Sequence, residues 1–291
     1  MFKILQKTAK TGIVTVNYPA EPANVSKHFR GRPNFDFEKW KDARAAADAC
    51  PTGAISLCDK ADSRSVTVDY GLCVFCGLCA ETSSDQGVRI TQEFELATPD
   101  RRSLVLTAEY ELNNDGTHRT LRGVNHHASD SQTDEVIGKK LRAVIHKVLG
   151  RSLSIREVDA GSCNGCELEI VALNNPIYDL ERFGIQFVAS PRHADMLLVT
   201  GPVTRNMELA LLKTYWAMAE PKVVVAVGAC GISGGIFGEN YASLGGVDKV
   251  LPVDVYIPGC PPRPQALLHG ILLAVGRLRE RLTTGHGAGS S

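Results

Sequence analysis

Nine cysteines are the residues best suited to chemistry in this 291-residue chain, at positions 50, 58, 73, 76, 79, 163, 166, 230 and 260. None lies between Cys79 and Cys163, so they form two groups with a polar stretch between them. In the first group, Cys73-Val74-Phe75-Cys76-Gly77-Leu78-Cys79 is a C-x2-C-x2-C run that lets three thiolates converge on one centre from a single turn. Cys50, followed by Pro51, is the distant fourth thiolate of the kind that completes a 4Fe–4S cubane. The same four residues are also a zinc set, although three thiolates at two-residue intervals crowd a tetrahedral ion, which usually takes its ligands in pairs. Cys58 falls outside the spacing and reads as a buried or idle thiol.

Composition narrows the setting. Lys3 and Lys7 interrupt what would have to be the apolar core of a signal peptide, and no run of 18 apolar residues is present, so neither export by that route nor a transmembrane helix is expected. In a reducing intracellular compartment, clustered cysteines serve as metal ligands rather than disulfides. The 32 Lys plus Arg balance 32 Asp plus Glu, which gives no electrostatic reason to expect nucleic acid or bulk anionic membrane as partner. The length allows about two domains, each with a core.

The elements that must position the second group follow from residue 154 onward. Short Val- and Ile-rich runs at 154–159, 185–189, 196–200, 223–227 and 255–257 read as strands, and 206–219 and 263–282 as helices, with Thr204 or Asn206 as N-cap of the first. This alternation predicts a parallel sheet covered on both faces. Cys163 and Cys166 then follow the first strand, Cys230 the fourth and Cys260 the fifth, so all emerge at the carboxyl edge, where open α/β sheets bind ligands. Gly228, Gly231, Gly234 and Gly235, with the turn Pro258-Gly259-Cys260-Pro261-Pro262, allow close backbone approach to cluster sulfurs. A nucleotide site is the competitor, but there is no G-x-x-x-x-G-K-[ST], and the glycines around Cys230 do not fit G-x-G-x-x-G.

The domain plan is an arm over 1–34, a cluster domain over 35–100, a linker over 101–153 closing with a short helix at 136–149, an α/β domain over 154–282, and a disordered tail over 283–291. The linker reading rests on turn-rich stretches such as Asn113-Asn114-Asp115-Gly116-Thr117, and His126-His127 reads as solvated residues within it. Near the start, Phe2, Ile4 and Leu5 beside Lys3, Lys7 and Lys10 suggest either a short amphipathic helix at a membrane arm or one that covers the core.

The first group, with the lead-in from Lys10 to Pro19 and Phe29-Arg30-Gly31-Arg32-Pro33, resembles the two-cluster ferredoxin-type subunits of membrane-bound hydrogenase and respiratory complex I. This resemblance implies an α+β, ferredoxin-like fold. By the family's spacing, the ligand positions of a second cluster fall on Trp40, Ala43, Ala46 and Ser83, none of which can bind iron as cysteine does. All four absences belong to one cluster, which implies that this cluster was lost as a unit while Cys50, Cys73, Cys76 and Cys79 keep the other.

The second group resembles the small subunit of energy-converting, formate-hydrogenlyase-type NiFe hydrogenases, homologous to the terminal-cluster subunit of complex I, over about 154–282. The residues that carry it are Ser162-Cys163-Asn164-Gly165-Cys166-Glu167-Leu168-Glu169, Pro191-Arg192-His193-Ala194-Asp195, Gly201-Pro202-Val203-Thr204, Val227-Gly228-Ala229-Cys230 and Gly259-Cys260-Pro261-Pro262-Arg263-Pro264. The resemblance implies a flavodoxin-like sheet and a proximal 4Fe–4S cluster on Cys163, Cys166, Cys230 and Cys260. Complex I members carry adjacent cysteines where this chain has Cys163-x2-Cys166, which favours the hydrogenase branch. Glu167 and Glu169 suit either proton transfer or the helix N-terminus, Thr204 and Arg205 either partner contact or capping, and His193 structural hydrogen bonding.

Together these readings imply a natural fusion: an electron-transfer subunit with two 4Fe–4S clusters and no catalytic residue of its own. Its expected partners are a NiFe hydrogenase-type large subunit, other iron–sulfur subunits or formate dehydrogenase, and membrane-arm subunits. The expected location is peripheral, on the cytoplasmic side of the membrane. A nickel-free, quinone-reducing complex I relative and a zinc-stabilised scaffold are the alternatives.

Overall fold

The computed structural model describes residues 2–83, 85–126 and 151–284. Its first half begins with α1 (Phe2–Thr11) and continues through β1 (Pro33–Phe35), α2 (Arg44–Asp48), β2 (Ile55–Asp59), β3 (Ser63–Asp69), α3 (Leu78–Thr82) and β4 (Val88–Ile90). β1 pairs antiparallel with β4, and β2 with β3, so two β-α-β units face each other in pseudo-symmetric order. Alanines favour α2, and Pro51 restricts Cys50 so that the chain turns out of the helix at that cysteine.

The expected linker is corrected by two long strands. β5 (Val105–Leu112) and β6 (His118–His126) extend the β2-β3 pair into a four-stranded sheet. Leu106, Ala108 and Tyr110 alternate inward at 9%, 0% and 1% exposure, a period-2 pattern that the intervening Thr107, Glu109 and Glu111 disguise as a polar stretch. The Asn113–Thr117 run is the turn of this hairpin, closed by Asn113 N–H to Thr117 O at 2.9 Å. His126 ends β6, whereas His127 and the expected helix at 136–149 lie outside the described residues.

The second half contains β7 (Leu153–Asp159), α4 (Gly165–Ala172), β8 (Ile185–Phe187), β9 (Met196–Thr200), α5 (Arg205–Ala217), β10 (Val223–Val227), α6 (Gly228–Ser233), β11 (Val255–Ile257) and α7 (Pro264–Thr284). The sheet order is β8-β7-β9-β10-β11, all parallel, the flavodoxin-like 2-1-3-4-5 arrangement whose switch point lies between β7 and β9. Every residue of β9 and β10 is buried, as a sheet covered on both faces requires. The strand expected over 185–189 stops at Phe187, and α5 ends before Glu220-Pro221. α7 runs through Thr284, so the expected tail loses its first two residues to the helix, and 285–291 lie outside the described residues.

The two halves share one continuous buried core, which runs from Phe35 and Trp40 to Leu197 and Tyr256. Thr98 and Tyr256 exchange two backbone hydrogen bonds of 3.0 and 2.8 Å, adding an antiparallel bridge at the β11 edge. The arm crosses onto the second half: Val16 N–H donates to Ile177 O at 2.8 Å, and Arg182 Nη2 donates to the carbonyls of Val16 and Tyr18. Within α1, Lys3, Ile4 and the residues from Gln6 to Thr11 are exposed. Among the described residues, no helix is long and apolar enough to cross a membrane.

Candidate metal centres

Cys50, Cys73, Cys76 and Cys79 line one apolar pocket together with Phe35, Ile55, Val68 and Tyr70. The loop between the first two thiols of the run is bent by Phe75, at φ 56°, and Phe75 N–H donates to Cys73 Sγ at 3.4 Å. Gly77, at φ 88°, then turns the chain into α3 and places Cys79 in its first turn. Burial, reinforced by the neighbouring thiols, pushes Cys73 up to about 12 and Cys79 up to about 11. Thiols in such surroundings ionise only when a bound metal compensates their charge. An apolar pocket lined by four thiols, with an amide already aimed at sulfur, fits an iron–sulfur cluster.

Trp40, Ala43 and Ala46 are 1%, 0% and 1% exposed and belong to the core. Trp40 lies 5.2 Å from Phe35 and 6.4 Å from His118 between ring centroids, and His118 Nδ1 lies 2.7 Å from Trp40 O. Ser83 ends α3 with its Oγ buried and, among the described residues, unpartnered. Cys58 is exposed on β2, so it is a surface thiol rather than a buried one.

The parallel sheet gathers the second quartet at its carboxyl edge. Cys163 and Cys166 follow β7 through Asn164, whose left-handed φ of 68° opens α4, while Cys230 lies in α6 directly after β10 and Cys260 in the turn after β11. The four thiols influence one another electrostatically. Burial and then Cys260 push Cys230 up to about 11, and burial followed by Glu167 pushes Cys166 higher still. A Cβ on Gly228, at φ +76°, would lie 2.8 Å from Cys166 Sγ, so glycine is required for the backbone to approach that sulfur. Cys163 and Cys260 are exposed, unlike any thiol of the first quartet.

Four thiolates around one zinc ion lie about 3.8 Å apart, given a Zn–S distance of about 2.3 Å. Among the described residues, no three His, Cys, Asp or Glu side chains converge on a single ion in that way.

The neighbouring expected residues divide by role. Glu167 lies in the first turn of α4 with both carboxylate oxygens buried and, among the described residues, unpartnered. Glu169 borders a cleft of about 410 Å³ beside Cys260, and burial raises its pKa against the opposing pull of Arg263. Thr204 takes the N-cap position of α5 without a side-chain capping bond and packs against Gly161, while Arg205 Nε donates to Tyr241 O at 3.0 Å and holds the loop after Cys230. The side chain of His193 is exposed, and the structural hydrogen bonds of that motif fall to Asp195, which accepts from Arg151 and from Ser154 N–H. The contacts of Arg30 and Arg263, both visible in the sequence, depend on the junction between halves and were not foreseeable from spacing.

Comparison with known proteins points the same way as the parallel sheet. Residues 163–274 match the family described as NADH ubiquinone oxidoreductase, 20 Kd subunit. The chain is 49% identical over 145 residues to the probable membrane-bound hydrogenase subunit mbhJ of Pyrococcus furiosus, covering 50% of this chain and 86% of that protein. It is 50% identical over 149 residues to formate hydrogenlyase subunit 7 of Escherichia coli, covering 51% of this chain and 58% of that protein. To an NADH-quinone oxidoreductase subunit of Phocaeicola vulgatus it is 53% identical over 125 residues, covering 42% of this chain and 62% of that protein. The chain thus spans a little over half the length of the Escherichia coli and Phocaeicola relatives, and most of the Pyrococcus one. With its cysteine edge inside the matched region, the chain belongs to the family of the complex I 20 kDa subunit, a family of oxidoreductase-complex subunits.

Proposed function

We propose that the chain is a fused electron-transfer subunit of a membrane-bound, formate-hydrogenlyase-type NiFe hydrogenase. In this reading a ferredoxin-like first half holds one 4Fe–4S cluster on Cys50, Cys73, Cys76 and Cys79. The second half holds another on Cys163, Cys166, Cys230 and Cys260. The observation that carries the reading is the presence of two separate thiol groups, the first lining its own apolar pocket and the second following the carboxyl ends of the parallel strands, in halves that share one core. The β-α-β-β-α-β order, with β1 on β4 and β2 on β3, supports the ferredoxin-like assignment. Trp40, Ala43 and Ala46 fill the position of the missing second cluster as core. Each cluster supplies one-electron chemistry, and the protein sets its potential through burial, charge and hydrogen bonds to sulfur.

The exposed edge supports an attached catalytic partner. Cys163 and Cys260 are exposed, and so are Leu168 and Val171 of α4 and Ile236 and Phe237 of the loop after Cys230, at 51–66%. A NiFe large subunit covers this edge in the proposed complex. The first half accepts electrons from other iron–sulfur subunits or formate dehydrogenase, and the assembly sits peripherally on the cytoplasmic face against membrane-arm subunits. Cys163-x2-Cys166 favours this branch over a nickel-free, quinone-reducing relative.

Anaerobically purified chain is expected to carry about eight iron and eight sulfide, from two cubanes. Zinc without sulfide would overturn the reading. The quinone-reducing alternative gains support if the large subunit encoded beside this chain lacks the four nickel-binding cysteines.

A further inference from the structure

Two centres on separate sheets exchange electrons only if something fixes one relative to the other. The junction between them holds a guanidinium that neither quartet uses. Arg263 follows the Cys260-Pro261-Pro262 turn, and its Cζ lies 5.0 Å from the ring centroid of Phe29 and 4.9 Å from that of Phe94. Both rings come from the first half of the chain. Arg263 Nε donates to Oε1 of the buried Gln265 at 2.8 Å, which fixes the plane of the fork at the start of α7. Glu169 of α4 feels the same positive charge.

The arm residue next to Phe29 reaches the other centre. Arg30 Nη1 donates to the carbonyl of Cys76 at 2.6 Å, and its Cδ lies 3.9 Å from where a Cβ on Gly77 would stand. Phe29 and Arg30, consecutive in sequence, thus touch the turn that carries Cys260 and the loop that carries Cys76. Phe29, Arg30 and Phe75, the residue before Cys76, line one cleft with Cys260 and Arg263.

We infer that Arg263, clasped between Phe29 and Phe94, is a positioning residue that holds Cys76 opposite Cys260 and makes this pair the edge across which electrons pass between the halves. One centre loses one electron and the other gains it; no bond is made or broken and no proton moves. A planar cation between two rings suits this task because it resists displacement in two directions, whereas a lysine ammonium does not stack in that way. The inference rests on the two-cluster reading.

The test uses the full chain, anaerobically purified, with iron counted first. In the unaltered protein, two reduced clusters are expected to show a magnetic interaction in electron paramagnetic resonance and rapid electron equilibration after a reductant pulse. Arg263→Gln should keep both clusters yet weaken the interaction and slow equilibration, and Arg263→Lys should restore neither fully. Phe29→Leu loosens the same clasp from the arm and should reproduce the loss; it decides the matter if Arg263→Gln sheds iron. Unchanged magnetic interaction and equilibration in an iron-replete Arg263→Gln or Phe29→Leu protein overturns the positioning role. Iron well below about eight in the unaltered chain overturns the two-cluster reading instead.

Discussion

The two thiol quartets are built in opposite ways. Three of the four thiols of the first come from seven consecutive residues, Cys73 to Cys79, and the set is enclosed by the chain's own apolar side chains. The second is assembled from loops after three different strands, and two of its thiols are exposed. The first is therefore a local motif made rigid by a surrounding core, whereas the second is a product of sheet topology, left open on the side where a partner is proposed to bind. The difference teaches that enclosure and assembly are separate problems, and that each half of this chain solves only one of them locally.

Replacing ligands separates the quartets most strongly. Cys73→Ser and Cys163→Ser are each expected to remove about half of the iron, with a different cluster signal surviving in electron paramagnetic resonance. Loss of both signals from either change would show the sites to be interdependent. Cys58→Ser, by contrast, should leave the iron content unchanged.

The next effect is on folding and is confined to the first half. Trp40→Ala removes a fully buried ring from the core and should cost about 3–5 kcal/mol in denaturant unfolding. A cost near zero would mean that the position collapses easily and that Trp40 is no plug.

A smaller and opposite selectivity is expected at Gly228. Alanine there introduces a Cβ 2.8 Å from Cys166 Sγ at a left-handed φ of +76°. Strain of about 1–3 kcal/mol should lower iron occupancy in the second quartet alone. Equal loss from both sites would contradict the separation of the two centres.

The smallest expected effect is a pH dependence at His118. Burial lowers its pKa below the ordinary 6.5, with the Trp40 carbonyl opposing the shift. The unfolded chain therefore takes up the proton first as the pH falls, so stability is present above about 6.5 and declines below it. Thermal unfolding of His118→Gln should show a flatter profile between about pH 7 and 5 than the unaltered chain.

Much of the second half was legible because buried parallel strands are nearly pure Val, Leu and Ile; β9 and β10 fall where their composition placed them. The hairpin of β5 and β6 was misread as a linker because a half-exposed antiparallel strand alternates Thr and Glu with its core residues, and Asn-Asp-Gly signals a hairpin turn as well as a loop. Of the two readings of Cys58, buried or idle, strand pairing in register with Ser65 removes the first by leaving that thiol at the surface, and no spacing rule contains its exposure.

The sequence by itself determined which thiols are grouped, since C-x2-C-x2-C and Cys-Pro spacing restrict where a short chain can place sulfur, and it determined the parallel sheet through its apolar runs. Only the tertiary structure decided that the arm crosses from one half to the other, that Arg263 lies between Phe29 and Phe94, and that Arg30 reaches the carbonyl of Cys76. Those contacts join residues far apart along the chain. They depend on how two separately patterned sheets share one core, and local periodicity carries no information about that.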